Sequence, residues 1–446
     1  MNKKLIYPVA ITLFLASVFF IIFQFSSIKQ EDTNYQLKER KGFLAQTDEY
    51  KNTRVTAAKL KLTIQEHPDD QKSMLGLAAL YIQEGRITGD YMYYNLAAMQ
   101  QVNSILKKDS NNFQALTYKA LIYLSQHHFA DGLAVAEKAK NINPYNAFIY
   151  GILVDANVEM GEYAKAVEYA DQMVSIRPDI RSYSRISYLR ELHGDLPGAI
   201  EAMKLAVGAG MPGDEGTEWA RIQLGHLYEN TGAMANAEMH YRIALQQRPA
   251  YPYAMVGLAH IASAKHEYKS AISLLLQADS LVNDYAIKEE LVDVYNLDGQ
   301  KEKSADLAKY VIDGMNKDSK SGLTNENLGH YADRELAYAY LKMNEDDKAL
   351  THALTEYQRR PKNIDVNETV AWVLYNANKP VQALPYLKEA LRTNDKNPTL
   401  LCRAGLIYAK AGEKEKAKSM LMDAMKNNPN IQQELKAESI HVMETL

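Results

Sequence analysis

Two histidines and two carboxylates near the middle of the chain are spaced so that they could bind a metal ion together. His226 and His260 are 34 residues apart, Asp293 follows 33 residues later, and Glu229 lies close to the first histidine. Imidazole and carboxylate groups are ligands for divalent transition metals. If neighbouring helices carry them, the helix axes lie about 8–10 Å apart, so the ligands meet only in favourable rotamers. Solvated histidines are the simpler interpretation, and we predict no bound metal and no cofactor.

The motifs that usually signal catalysis have no convincing match in the sequence. Residues 208–213 match the phosphate-binding pattern G-x-G-x-x-G, but they follow a helical segment rather than a strand and contain a proline. We interpret them as a linker. Asn367 begins a lone glycosylation sequon inside a predicted helix, and the single Cys402 excludes an intrachain disulfide and a cysteine-based metal cluster. We therefore expect no enzymatic activity.

A repeated pair of helices would position these residues. Residues 220–249 indicate one helix–turn–helix unit, in which Gly225 and Ala237 let two helices approach closely and Pro249 ends the second. The pattern recurs ten times, with turns spaced 33 to 45 residues apart. Gly, Asn and His stand at these turns, and Gly and Asn in particular tolerate a left-handed backbone after a helix end. The predicted turns are at Gly85, His127, Gly161, Gly194, Gly232, His266, Gly299, Asn344, Asn378 and Gly412.

With these offsets, residues 67–430 resemble an array of tetratricopeptide repeats. The resemblance implies an all-α fold, a right-handed α-solenoid of about ten helix–turn–helix units. It also implies that certain positions of each unit's first helix line a concave groove that binds a peptide or protein partner. In this sequence those positions carry Phe148, Asp155, Glu159, Tyr188, Glu191, Trp219, His226, Glu229, Tyr253, His260, Glu289, Asp293, Asn296, Tyr331, Arg334, Tyr338, Trp372 and Tyr375.

Large aromatic and acidic side chains dominate these groove positions, and both tryptophans of the chain are among them. Such residues are not needed for helix packing, which indicates a recognition surface, although single aromatics can pack against a neighbouring repeat. The chain lacks the Lys, Asn and Arg residues with which one tetratricopeptide subgroup clamps a C-terminal carboxylate. An acidic groove is expected to prefer a basic or neutral segment.

The first 28 residues predict a membrane anchor. No charged residue lies between Lys4 and Lys29, and 24 uncharged residues can cross a bilayer as a helix. A cleavable signal peptide is the alternative, but its apolar core is normally shorter and ends in a small-x-small site. Lysines and arginines lie on both sides of the segment, so the positive-inside rule is ambiguous. We expect a single-pass protein of the cell membrane with its repeats facing the periplasm or exterior.

The remaining segments complete the predicted organisation. Residues 29–66 are assigned to a tether and an N-terminal capping helix, and residues 431–446 to a C-terminal capping helix. The net charge of −4 gives no reason to expect a nucleic-acid partner. We expect a membrane-anchored scaffold or adaptor for protein partners. An assembly or chaperone-like co-factor of an envelope complex for secretion, surface attachment or the cell wall remains open, as does a periplasmic protein that binds a metal or small ligand.

Overall fold

The computed structural model describes residues 35–324, 329–428 and 430–446, and the side chains of residues 321–324 are not considered. The chain divides into two units, residues 1–38 and residues 39–446. In the described ranges no helix combines the length and the apolar character that crossing a bilayer requires. The predicted anchor, residues 1–28, lies outside these ranges.

The described residues form 22 α-helices and no strand. They are α1 Asp48–Glu66, α2 Gln71–Thr88, α3 Tyr91–Lys108, α4 Phe113–Ser125, α5 Phe129–Ile142, α6 Ala147–Glu159, α7 Tyr163–Ile176, α8 Ile180–Leu192, α9 Leu196–Gly208, α10 Glu215–Asn230, α11 Met234–Gln247, α12 Pro252–Ala264, α13 Tyr268–Leu281, α14 Tyr285–Leu297, α15 Lys301–Thr324, α16 Asp333–Lys342, α17 Asp346–Arg359, α18 Ile364–Asn376, α19 Pro380–Ala390, α20 Pro398–Lys410, α21 Lys414–Asn427 and α22 Gln433–Thr445. A short 3₁₀ helix, Gly42–Gln46, precedes them.

Helices α2 to α21 pack as ten consecutive pairs, which we number units 1 to 10. Many of the first helices begin at an Asn or Asp whose side chain accepts a hydrogen bond from a free backbone amide of the first turn. Asn112 accepts from the amide of Ala115, and Asn363 from that of Val366. The predicted all-α solenoid of about ten helix pairs is thus confirmed.

Nine of the ten predicted turns have the left-handed backbone that the sequence indicated, with φ from 57° at Asn344 and Asn378 to 87° at Gly412. The first is wrong. Helix α2 continues to Thr88, and the left-handed residue is Gly89. Gly85 is instead buried inside α2, where a Cβ would lie 3.5 Å from the Cβ of Tyr94. That distance is an ordinary van der Waals contact, so a small side chain would also fit here between α2 and α3.

Small residues make the helix crossings tight. Ala237 is fully buried, and Tyr241 of α11 packs between Gly225 of α10 and Gly257 of α12. A Cβ on Gly257 would lie 2.6 Å from the Tyr241 ring, and one on Gly225 would overlap it. The two glycines thus create the space that one tyrosine fills, which joins units 5 and 6.

The turns of units 1 to 5 contact the loops that follow units 6 to 10, and we call these the turn-to-loop contacts. The amide of Asn283 donates to the carbonyl oxygen of Thr88 over 2.8 Å, and Asn428 donates through its side chain to the carbonyl oxygen of Glu229, also over 2.8 Å. Each of these contacts joins residues that lie about 200 positions apart in the sequence. Units 6 to 10 of the array therefore lie next to units 1 to 5.

The segments before and after the repeat array pack against it. Arg40 is buried with Glu84 of α2, at 3.0 Å from Nε to Oε2, and Leu44 is buried beside α13. Part of the segment predicted as a tether is thus fixed in place. At the other end α22 contacts α20 and α21, and its Leu435 is buried.

Candidate binding groove

The first helices of neighbouring units lie side by side, and we call the surface that they form the groove. Helix α10 contacts α12, α16 contacts α18, and α18 contacts α20. Because each unit repeats the same helix register, side chains at equivalent positions meet across neighbouring helices. Most of the predicted site residues stand on these first helices.

A cavity of about 320 Å³ opens in the groove at units 5 and 6. Three predicted site residues line it: Trp219 and His226 of α10 and Tyr253 of α12. Trp219 is 37% exposed although it is one of the largest hydrophobic side chains of the chain. An aromatic cavity of this size is suited to a single large side chain of a ligand.

The same cavity is also lined by residues that sequence reasoning missed. Arg86 and Tyr91 come from unit 1, and Arg86 forms an ion pair of 2.9 Å with Glu215 of α10. Asp284, at the start of α14, accepts a hydrogen bond of 3.4 Å from the Tyr253 hydroxyl. Sequence offers no signal for Arg86 or Tyr91, because only the turn-to-loop contacts bring unit 1 to this place.

Next to the cavity, two histidines share one carboxylate. Nδ1 of His226 lies 3.1 Å from Oε2 of Glu229, and Nδ1 of His260 lies 3.4 Å from the same oxygen. Burial alone would raise the pKa of Glu229, but the adjacent His260 and His226 outweigh it and lower this pKa to about 2. On its other side His260 faces Glu290, with 3.4 Å between Nε2 and Oε1. These histidines are therefore held by carboxylates rather than freely solvated.

Asp293 does not join the histidines. It forms an ion pair of 2.9 Å with Lys342 of α16, the first helix of the next unit along the groove. Its neighbour Glu289 has a buried oxygen without a hydrogen-bond partner among the described residues. Burial raises the pKa of Glu289 to about 7, since Glu335 and the other nearby carboxylates oppose the effect of Lys342.

In units 8 to 10, aromatic and charged side chains of the groove contact one another. The Tyr338 hydroxyl donates to Oε2 of Glu368 over 2.8 Å, and Arg403 donates to Oε1 of the same carboxylate over 2.5 Å. The Arg403 guanidinium also lies 5.1 Å from the ring of Trp372. The predicted site residue Arg334 lies 5.7 Å from the ring of Tyr338. These side chains stabilise one another, so less of each is available to a ligand.

Four predicted residues line the groove at units 3 and 4. Asp155 receives two hydrogen bonds from Arg185, of 2.9 and 2.6 Å. Phe148 lies beneath the guanidinium of Arg181, and Glu191 accepts from Asn230 over 2.9 Å. Tyr188 is 39% exposed. This part of the groove thus offers an exposed aromatic ring beside paired charges.

Four other predicted residues have structural partners. Glu159 forms an ion pair with Arg360 in a turn-to-loop contact, and the ring of Tyr331 stacks at 4.1 Å on His128 in another. Tyr375 is only 8% exposed, because its ring is packed into the core and its hydroxyl donates to Glu438 of α22. Asn296 is exposed and donates to Glu434 over 3.2 Å.

A family model supports the helix-pair assignment independently. Residues 398–431, which span unit 10, match the model described as tetratricopeptide repeat. Unit 10 is a tetratricopeptide repeat. Repeats of this family generally mediate protein–protein interaction. A search of curated proteins finds no match to the whole chain.

Solved structures share the repeat architecture at low identity. A tetratricopeptide repeat protein from Parabacteroides merdae is 16% identical, with a TM-score of 0.42, over 55% of this chain and 92% of that one. The human IFIT1 dimer with PPP-AAAA is 13% identical, with a TM-score of 0.47, over 77% and 80%. PilW, a type IV pilus biogenesis factor, is 16% identical, with a TM-score of 0.37, over 45% and 91%. No conclusion about function follows at these values.

The raised pKa of Glu289 predicts that Glu289→Gln stabilises this tetratricopeptide array above pH 7. In the unfolded chain a glutamate titrates at about 4.3, so between that pH and about 7 the folded state binds more protons than the unfolded state. Stability is then lost as the pH rises through this window. The glutamine side chain does not ionise, so the variant does not lose this stability as the pH rises. We expect the variant to unfold at higher urea concentration than the wild type at pH 8, and the gap to close near pH 4.

The neighbouring Glu290→Gln is the matched control, because its shift has the opposite sign. Burial alone would raise the pKa of Glu290, but His260 lowers it below the usual value. The ionised form is therefore favoured in the folded state, and the amide should destabilise at pH 8. Equal effects of the two variants at both pH values would contradict the assignment of Glu289.

Proposed function

We propose that this protein is a membrane-anchored scaffold whose groove binds an extended segment of a protein partner. The observation that carries the proposal is the aromatic cavity at units 5 and 6, which leaves Trp219 partly exposed beside Tyr253. Partly exposed tryptophans in concave sites are typical anchors of protein–protein interfaces. The proposed activity is binding without chemistry.

The groove charges favour a basic partner segment. Within the described part of the chain, Oε1 of Glu289 has no hydrogen-bond partner, and the carboxylates of Glu290 and Glu335 lie near Glu289. A lysine or arginine of the partner would satisfy these carboxylates and lower the cost of their burial. We therefore propose a segment with one large aromatic or aliphatic side chain for the cavity and a basic residue next to it.

We expect Trp219→Ala to weaken the binding of such peptides by about 2 kcal/mol, which is roughly 30-fold in Kd. The cavity loses its largest apolar wall, but α10 keeps its buried face, so the urea midpoint should change little. The measurement selects peptides from a random library displayed on phage, with the full chain in detergent as bait. Fluorescence anisotropy then gives Kd for the selected peptides and both proteins.

Trp372→Ala is the matched control, because it makes the same change at a groove position outside the cavity. Trp372 stacks on Tyr375 at 4.9 Å and lies under Arg403. Its loss should lower stability and leave the Kd of correctly folded protein unchanged. Selected peptides without an aromatic or aliphatic consensus residue, or equal losses of affinity in both variants, would contradict the proposed anchor cavity.

In the same proposal, residues 1–28 hold the protein in the cell membrane with the repeats outside the cytoplasm. The support is the run of 24 uncharged residues after Lys4. The full chain is expected to stay in the membrane fraction after alkaline extraction, whereas a variant that lacks residues 1–28 is released. Protease added to intact spheroplasts should digest the repeats. A mature N-terminus between Ser26 and Asp32 would exclude the anchor.

A further inference from the structure

Three side chains in the groove bring potential metal ligands together in a way that protein binding does not require. The ligand atoms of His226, Glu229 and His260 all lie within 4.8 Å of one another. We propose that these three residues bind a divalent transition-metal ion, for which Zn²⁺ is the best-suited probe. This inference is independent of the partner segment proposed above.

The distances fit a tetrahedral ion. Zinc bonds to imidazole nitrogen and carboxylate oxygen are about 2.0–2.2 Å long, so two ligands of a tetrahedral site are separated by about 3.3 Å. Oε2 of Glu229 lies 3.1 Å from Nδ1 of His226 and 3.4 Å from Nδ1 of His260. Two of the three distances between ligand atoms are therefore already close to the value expected for a tetrahedral zinc site. The third distance, between the two imidazole nitrogens, is at most 4.8 Å, so the rings have to move closer by up to about 1.5 Å to reach tetrahedral spacing.

Rigid elements hold the three ligands. His226 and Glu229 stand one helical turn apart on α10, where residues three positions apart face the same side. His260 comes from α12, the helix that packs beside α10 in the groove. Ligands on packed helices keep their geometry better than ligands on loops, which favours a defined site. Asp293, which the spacing suggested as a third ligand, pairs instead with Lys342.

Glu290 provides the outer support that such sites usually have. A metal-bound imidazole commonly donates its other N–H to a carboxylate, which fixes the ring orientation. His260 turns Nδ1 to Glu229 and Nε2 to Glu290, so its outer nitrogen already faces a carboxylate oxygen at 3.4 Å.

The remaining polar atoms can accommodate an ion. Oε1 of Glu229 is buried and has no hydrogen-bond partner in the described ranges, so a second carboxylate oxygen remains for the ion or for a bound water. The Tyr241 hydroxyl lies 2.9 Å from Nδ1 of His226. When this nitrogen binds the ion, the hydroxyl must give up that contact. Glu229 is within its hydrogen-bonding reach.

The two-histidine, one-carboxylate set selects the class of ion. Imidazole with carboxylate suits zinc and its neighbours, whereas magnesium and calcium prefer oxygen ligands alone. Three protein ligands leave one tetrahedral position open. Because His226 also lines the cavity, the proposed metal site adjoins the space proposed for the partner side chain.

The test is titration of the untagged full chain in detergent with Zn²⁺ by calorimetry, and with Co²⁺ by absorption spectroscopy. We expect one Zn²⁺ per chain, and a Co²⁺ spectrum with the intense visible bands of a tetrahedral site. His226→Ala and His260→Ala should each weaken Zn²⁺ binding by about 100-fold or more. Glu290→Gln should weaken it by about 10–100-fold, as loss of an outer partner does, with the stoichiometry unchanged.

His67→Ala is the matched control, because His67 is an exposed histidine on the loop after α1 and should not change the affinity. If a histidine variant fails to fold, Glu229→Gln and the wild-type Co²⁺ spectrum still decide the question. An octahedral Co²⁺ spectrum would overturn the proposal. So would Zn²⁺ binding that is equal in His260→Ala, Glu229→Gln and His67→Ala, and so would the absence of binding to the wild type.

Discussion

Replacing Tyr241 by Ala should lower the free energy of unfolding by about 3–5 kcal/mol, the usual cost of removing a large aromatic ring from a core. The ring is fully buried between Gly225 and Gly257, which have no side chains that could move into the space. The cavity therefore cannot collapse, and units 5 and 6 lose the contact that joins them. In a repeat array such a loss separates neighbouring units first, because each unit contacts mainly its neighbours.

Tryptophan fluorescence can follow the unfolding of unit 5 separately from that of the other units. In a Trp372→Phe background, Trp219 of α10 reports on unit 5 alone, since the chain has two tryptophans. We expect its urea transition to shift strongly in Tyr241→Ala. Tyr310→Ala makes the same chemical change on α15, where the ring is 58% exposed, and should shift stability by about 0.5 kcal/mol or less. Similar shifts in both variants would contradict the packing described for Tyr241.

Local features of this fold could be predicted from the sequence because their causes are local. A left-handed residue after a helix requires a residue type that tolerates it, so Gly161 and Gly299 marked their turns correctly. Trp219 and Tyr253 occupy equivalent positions of units 5 and 6. Residues at equivalent positions of neighbouring units lie side by side, and these two line one cavity.

Long-range features could not be predicted, because they depend on the sum of many small rotations between units. Arg86 reaches the cavity only after five units have brought the chain back to unit 1. The burial of Tyr375 depends on how α22 packs against the last units. Asp293 pairs with Lys342 of the next unit, so equal spacing from His260 did not place it in the same cluster.

The turn-to-loop contacts can be tested with two glycines that share one backbone conformation. Gly161 and Gly299 stand at the turns of units 3 and 7, with φ of 78° and 77°. A side chain on either pays about 1–2 kcal/mol for the left-handed backbone. At Gly161 a Cβ would also overlap the carbonyl oxygen of Lys362 in the loop after unit 8, whereas at Gly299 no atom lies within 4 Å. Gly161→Ala should therefore cost an additional 1–3 kcal/mol, roughly the cost of overpacking.

Hydrogen exchange distinguishes a local strain from a lost contact between distant units. The amide of Ile364 donates to the Tyr163 hydroxyl over 2.9 Å, and Arg392 donates to the carbonyl oxygen of Gly161 over 2.6 Å. If the loop after unit 8 moves away, the Ile364 amide should exchange faster in Gly161→Ala, although it lies about 200 residues from the substitution. In Gly299→Ala its exchange should stay at the wild-type rate. Equal destabilisation of the two variants, with Ile364 unchanged in both, would show that the turn-to-loop contact contributes nothing to stability.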